Sequence, residues 1–134
     1  MSASWALQTT VFAALSADAT LQSLVDSRVF DAVPPLPTFP YIVVGDGSET
    51  NWDTATEQGS EHQLEIHIWS RANGHKETKA IADAVRAALE NAALTLTGHD
   101  LIDLRYLDAD FARETDGETR RATLRFRAVT EPAS

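Results

Sequence analysis

The sequence contains no cysteine among its 134 residues. Disulfide bonds, thiolate metal sites, iron–sulfur clusters and cysteine nucleophiles are therefore excluded together, and any redox compartment is permitted. Basic residues are also few, because 11 Lys and Arg stand against 20 Asp and Glu, which gives a formal net charge of -9. Proteins that bind the nucleic-acid backbone use clustered cations to displace counterions, so this balance argues against that class.

Long hydrophobic runs are missing as well. The stretch MSASWALQTTVFAALSADATL has no basic segment before its apolar residues, and these runs are too short for a secretory core or a membrane span. We therefore expect a cytoplasmic protein. The 6 glycines are scattered and form neither a P-loop nor a dinucleotide fingerprint, and no G-x-S-x-G motif occurs. The length and the 43% hydrophobic content predict one folded domain, residues 1–134.

Apolar residues at intervals of three and four predict helices. The first spans residues 4–15, with Ser2 or Ser4 as its N-cap, and Asp18 opens a second, shorter one. Residues 76–92 predict a third helix with the clearest apolar stripe. The stripe consists of Ile81, Ala84, Val85, Ala88 and Leu89.

Four segments predict strands: residues 41–44, 61–70, 101–111 and 122–128, the last three from alternation of apolar and polar residues. The prolines between Pro34 and Pro40 prevent regular pairing before the first strand, and the Asp116–Gly117 turn joins the last two strands. The expected inward-facing sets are Leu64, Ile66 and Ile68; Ile102, Leu104 and Tyr106; and Ala122, Leu124, Phe126 and Ala128. The order α-β-β-α-β-β predicts an α+β fold, in which helices cover one face of an antiparallel sheet of about four strands.

A polar stretch at residues 46–60 separates the first two predicted strands. It contains four acidic residues and no basic one, and its length favours an exposed arm. From Asp46 the spacing partly matches a calcium-binding loop. However, Asn51 occupies the position where that loop requires glycine, and a strand precedes it where a helix is needed, so we do not predict a calcium site.

The histidines form no predicted metal centre. His62 and His67 are five residues apart on one strand, so they face opposite sides of the sheet. His67 shares a face with Glu65, but two ligands without a third do not define a site. His75 has no second histidine at the helical spacing of four. We therefore predict no metal and no cofactor.

Two carboxylate pairs lie near arginines on the predicted hairpin, which is the usual setting of solvated cross-strand charge and not of general acid–base catalysis. The pairs are Asp108 with Asp110 and Glu114 with Asp116, beside Arg105 and Arg113. No residue stands in the context of an activated nucleophile, so we do not expect an enzyme.

The last predicted strand is basic in an otherwise acidic chain, with arginines at positions 120, 121, 125 and 127. One interpretation is cross-strand pairing with Asp103 or Glu65. The other is a docking surface for an acidic partner, including the acidic arm of another copy of the chain, and such a head-to-tail contact can close into a ring. The two interpretations are compatible.

Three stretches, in this order and spacing, resemble a known family: LQSLVDSRVFDAVPPLPTFPYIVVGD, GSEHQLEIHIWSRANGHKETKAIADAVRAAL and LTLTGHDLIDLRYLDADFARETDGETRRATLRFRA. The chain is similar, from about Leu7 to Val129, to the small tail-completion or tail-terminator proteins of long-tailed phages, prophages and gene transfer agents. Particular marks are Arg28-Val29-Phe30, Pro40-Tyr41, His67 with Trp69-Ser70, the 74–89 helix and Gly98-His99.

The resemblance implies an α+β protomer that forms a hexameric ring on the last ring of the tail tube. Such a ring stops polymerisation and presents its other side to the head–tail connector protein. It implies assembly in the host cytoplasm, a place at the head-proximal end of the tail and no catalytic residues. DNA would pass through the ring without specific binding, which suits an acidic chain, and no membrane is involved.

Two surfaces are the candidate assembly contacts, one on the polar arm and one on the last strand. They comprise Asp46, Glu49, Trp52, Asp53 and Glu57 on the arm and Arg125 and Arg127 on the strand. A head-side connector adaptor of the same particle is the alternative function within assembly. Outside assembly, the alternative is a small ligand-binding domain with a pocket around Glu65, His67 and Arg125.

Overall fold

The computed structural model describes residues 2–133, without the side chain at position 91, so residues 1 and 134 of the expected domain lie outside the described part. The elements are α1 (Ala3–Ala17), α2 (Ala19–Val25), β1 (Val29–Phe30), β2 (Tyr41–Asn51), β3 (Ser60–Ser70), α3 (Lys76–Asn91), β4 (His99–Arg113) and β5 (Arg120–Pro132). The predicted α+β class is confirmed.

The helices begin where the caps predict. The Ser2 Oγ accepts a hydrogen bond from the backbone N–H of Trp5 at 3.1 Å. The Asp18 carboxylate accepts one from Leu21 at 3.0 Å, so the same residue follows α1 and opens α2. The apolar stripe of α3 is buried throughout. Within residues 2–133, none of the helices combines the length and the apolar character needed to cross a bilayer.

The sheet is mixed and has five strands in the order β1-β2-β3-β5-β4. The predicted count of four strands is wrong, because β1 pairs in parallel with β2 through Val29–Ile42 and Phe30–Val43. A strand of two residues cannot display alternation, and the prolines that follow it hide it further. The remaining neighbours are antiparallel, as predicted.

All three helices contribute to the apolar core on one face of the sheet, against the even-numbered residues of β3 and β5. Leu124 and Phe126 are each 1% exposed, and Ile66 and Ile68 are completely buried. The alternation of these two strands therefore predicted the core correctly. The odd-numbered residues face the other way and are polar, apart from Trp69 and Val129.

The alternation predicted for β4 is partly wrong. Leu104 and Tyr106 pack against the core as expected, but Ile102 is 54% exposed. A β-bulge between Leu101 and Asp103 inserts Ile102 as an extra residue, and a second bulge inserts Leu107, which is 43% exposed. Each extra residue shifts the period of two, so the alternation could not be read from a uniform strand.

The polar stretch 46–60, called here the distal hairpin, is exposed as predicted from residue 46 to residue 58, but nearly half of it belongs to strands. β2 continues to Asn51, and β3 starts at Ser60. Both sides of this part of the sheet are polar, so no hydrophobic alternation signalled the strands. The connection is therefore a loop over residues 52–59 between two long strands.

Candidate functional site

The sheet face opposite the helices, called here the open face, collects most of the charged side chains of three strands. Its members are Glu61, Glu65, His67, Thr123, Arg125 and Arg127 from β3 and β5, and Asp103, Asp108 and Asp110 from β4. Because neighbouring strands are antiparallel, acids of β3 and β4 flank the arginines of β5 on both sides. The open face is therefore a charge-paired surface.

Arg125 contacts three carboxylates. Its Nη1 lies 2.9 Å from Asp108 Oδ1 and 2.7 Å from Asp110 Oδ2, and its Nε lies 3.5 Å from Glu65 Oε2. The hydrogen bonds that the guanidinium donates to Asp110 and then to Asp108 raise its pKa above the ordinary value. The predicted pairing with Glu65 is confirmed. Asp108 and Asp110 also pair with Arg125 across the strands, which agrees with their predicted setting of cross-strand charge.

Arg127 has a similar environment. Its Nη1 lies 3.8 Å from Asp103 Oδ2, as the pairing interpretation predicted. Its Nη2 lies 2.7 Å from Glu61 Oε2, a partner that was not predicted. The guanidinium carbon also lies 5.0 Å from the ring centroid of Trp52, in the range of a cation–π contact. Two of the predicted assembly contacts, one from the distal hairpin and one from β5, thus meet within a single chain.

The other two arginines of β5 do not extend this surface into a continuous stripe. Arg120 is 7% exposed and donates to the carbonyls of Gly117 and Glu118 in the preceding turn. Arg121 pairs with Glu114 at 3.2 Å. Hydrogen bonds from Thr119, backbone first, and from the Glu118 backbone lower the pKa of the neighbouring Asp116 to about 2, so this acid stabilises the turn.

His62 and His67 face opposite sides of the sheet, as parity predicted. His62 is 2% exposed on the helix side, where Nε2 lies 2.9 Å from Thr130 Oγ1 and Nδ1 lies 3.6 Å from Glu49 Oε1. Burial lowers the pKa of His62, and the Glu49 carboxylate opposes that shift. Glu49, a predicted assembly contact, therefore lies apart from the open face.

His67 lies on the open face with two carboxylates. Its Nε2 is 3.3 Å from Asp46 Oδ2 and 3.4 Å from Glu65 Oε1. The sequence supplied Glu65 but not Asp46, so the expectation of only two possible ligands is wrong. The missed signal is the pair of glycines around Asp46, which is typical of a bulge. These three residues could hold a metal ion.

The remaining arm residues mainly shape the hairpin turn. Asp53 Oδ1 accepts from the N–H of Gly59 at 3.0 Å, and the Glu57 carbonyl accepts from Thr54 at 2.8 Å. The Glu57 side chain shares a hydrogen bond with Glu131, which raises the pKa of Glu131. Asp53 and Glu57 are thus placed at the tip of the distal hairpin and not beside Arg125.

Sequence reasoning missed a set of exposed apolar side chains. Ile102, Leu107 and Phe111 lie along β4, which is an edge strand of the sheet, with exposures of 54%, 43% and 36%. Leu36 is 97% exposed within the proline segment. A leucine flanked by prolines could have been recognised as exposed, but the edge position of β4 depends on strand order, which alternation does not encode.

Comparison with known proteins gives consistent matches. The family described as Tail completion protein gp17 matches residues 9–131. The tail completion protein gp17 of Bacillus phage SPP1 is 27% identical over 89 residues, which span 66% of this chain and 66% of that protein. A chain in the solved virion of a native gene transfer agent particle is 37% identical, with a TM-score of 0.89 and 96% of both chains covered. The solved structure of bacteriophage SPP1 gp17 is 25% identical, with a TM-score of 0.62, and covers 94% of this chain and 89% of that one.

Proposed function

We propose, from the premise that the chain belongs to the Tail completion protein gp17 family, that it closes the head-proximal end of the tail tube in a phage or gene-transfer-agent particle. The family is one of structural tail-completion proteins, so the chain is a structural protein and not an enzyme. In this proposal it acts as a hexameric ring that ends tube polymerisation and provides the surface for joining the head.

One observation carries the proposal. The similar chain in the gene transfer agent was solved within a whole virion, and the likeness covers 96% of both chains at a TM-score of 0.89. Identity of 37% over the whole length supports a shared role in the particle more than a shared fold would, because a fold alone is compatible with many functions.

The mechanism is selective surface complementarity. The end of a growing tube is a repeating template, and a subunit that binds it while presenting a different outer face removes that template. The net charge of -9 suits the wall of a conduit, since DNA is not attracted to an acidic surface. The ring would form in the host cytoplasm during assembly and remain in the particle between the tube protein and the connector protein.

Three surfaces are candidates for these contacts. Arg125 and Arg127 are already paired within the chain, so they would have to exchange partners to bind a neighbour. The outer edge of β4 instead offers unpaired backbone groups beside exposed Ile102 and Leu107. We assign the β4 edge to the neighbouring subunit and the distal hairpin, with Trp52 47% exposed, to the tube.

Electron microscopy of particles made without this gene tests the proposal. A terminator predicts overlong tubes and heads without tails, and complementation with the wild-type gene should restore uniform joined particles. A head-side adaptor would instead leave tails of normal length that fail to join. Normal tails on filled heads in the absence of the gene would refute both functions.

A further inference from the structure

We propose that Asp46, Glu65 and His67 form a binding site for a divalent transition-metal ion such as Zn²⁺. The three side chains offer one nitrogen and two carboxylate oxygens, all within 4.8 Å of one another. A neutral imidazole together with carboxylates is a donor set that such ions bind. This inference does not depend on the proposed role in tail assembly.

The orientation of His67 supports the site. Its Nδ1 lies 3.2 Å from Thr123 Oγ1, and Thr123 is 6% exposed. In the tautomer that binds a metal through Nε2, Nδ1 carries the proton, and its hydrogen bond to that hydroxyl would fix the ring. Nε2 itself is buried and makes no hydrogen bond to any of the described residues, although it lies close to two carboxylates. A cation placed between them would satisfy all three groups.

The distances agree with shared coordination. Nε2 lies 3.3 Å from Asp46 Oδ2 and 3.4 Å from Glu65 Oε1. Ligand atoms bound at about 2.0–2.2 Å to one ion in tetrahedral geometry are separated by roughly 3.3–3.6 Å. The Asp46 side chain is 80% exposed, so a further coordination position would face water.

The backbone of β2 brings the third ligand, Asp46, close to His67. A β-bulge lies between Val44 and Gly47, where two residues of β2 face Glu65, and Asp46 adopts a left-handed backbone with φ of 55°. Gly47 has no Cβ, which allows the chain to pass close to the carbonyl of Gln63. Arg125 contacts the other oxygen of Glu65 at 3.5 Å, so Oε1 remains directed at His67.

Titration calorimetry of the untagged full chain with zinc chloride tests the site. We expect one ion per chain, and an unfolding midpoint that rises with zinc concentration, because a ligand of the folded state stabilises it by mass action. His67→Gln should weaken binding by at least about tenfold, whereas the control His99→Gln at the start of β4 should bind as the wild type does.

Two further variants keep the test decisive if His67→Gln folds poorly. Asp46→Asn alters an exposed side chain and should also weaken zinc binding, while circular dichroism checks that the fold is retained. Thr123→Val keeps all three ligands and should weaken binding by about tenfold through loss of ring orientation. The site is refuted if the wild type shows no saturable binding up to about 1 mM zinc, or if His67→Gln and Asp46→Asn bind as tightly as the wild type.

Discussion

The two faces of the sheet are formed by alternating residues of the same strands, yet they differ in burial, polarity and charge. On the helix side, Phe126 is 1% exposed and packs within a continuous apolar core. Its neighbour Arg127 points to the open face and pairs with Glu61. The helix side gains its free energy from burial of apolar area, whereas the open face consists of partly solvated ion pairs that contribute little to folding.

This difference separates stability from assembly. Surface ion pairs can exchange partners at small cost, and a burial-driven core cannot. We therefore infer that substitutions on the helix side mainly lower the free energy of unfolding. Substitutions on the open face, the β4 edge and the distal hairpin should mainly weaken contacts with other subunits.

Phe126→Ala should have the largest effect on stability. Removing this buried ring leaves a cavity and should lower the free energy of unfolding by about 3–5 kcal/mol, measured by urea titration with tryptophan fluorescence. Arg127→Ala, one residue away, should cost less than about 1 kcal/mol. Similar losses at the two positions would contradict the division between the faces.

Gly47→Ala should have the second largest effect on stability. A Cβ at this position overlaps the backbone carbonyl oxygen of Gln63, so the bulge must distort, at a cost of about 1–3 kcal/mol in the free energy of unfolding. Gly45→Ala is a matched control, because a Cβ there meets no atom within 4 Å. Chemical denaturation of both variants checks the prediction, which fails if Gly45→Ala is the more damaging change.

His62 should make folding sensitive to acid. Burial lowers its pKa in the folded state below the ordinary value of 6.5, so the unfolded chain binds the proton more readily. The contribution of His62 to the free energy of unfolding is fully present above pH 6.5. It decreases as the pH falls below that value, by at most about 1.4 kcal/mol per pH unit.

The comparison of wild type with His62→Gln in urea titrations at about pH 8 and about pH 5.5 measures this contribution. The wild type should lose more stability between the two pH values than the variant does. An equal loss in both proteins would show that His62 titrates alike in the folded and unfolded states.

Arg125→Ala should have the smallest effect on stability. Its three carboxylate partners are partly solvated, so the free energy of unfolding should fall by no more than about 1 kcal/mol. Salt screens such charges, so the difference from the wild type should shrink between about 50 mM and about 500 mM salt. A larger, salt-independent loss would mean that the open face contributes to the folding core.

The sequence was sufficient for the elements whose signals are local and repetitive. The caps at Ser2 and Asp18, the α3 stripe and the alternation in β3 and β5 all depend on neighbouring residues, and all were predicted correctly. The parallel β1, the bulges that expose Ile102 and Leu107, and the edge position of β4 depend on pairing between distant segments. Local periodicity does not carry that information.

The candidate site divides in the same way. Glu65 was predicted as a possible partner of the β5 arginines because alternation within each strand fixes the face on which these side chains lie. Asp46 near His67 was not, because a bulge and a left-handed residue bring it there. The assignments of the distal hairpin and the β4 edge to partner proteins remain predictions, since they concern chains other than this one.

A reconstruction by cryo-electron microscopy of the head–tail junction, in particles that contain this chain, would show where the chain lies and how many copies are present. The proposed function predicts a hexameric ring of this fold between the last tube ring and the connector, with β4 edges between neighbouring subunits and distal hairpins toward the tube. Absence of the chain from the junction, or its presence only in the head shell, would contradict it.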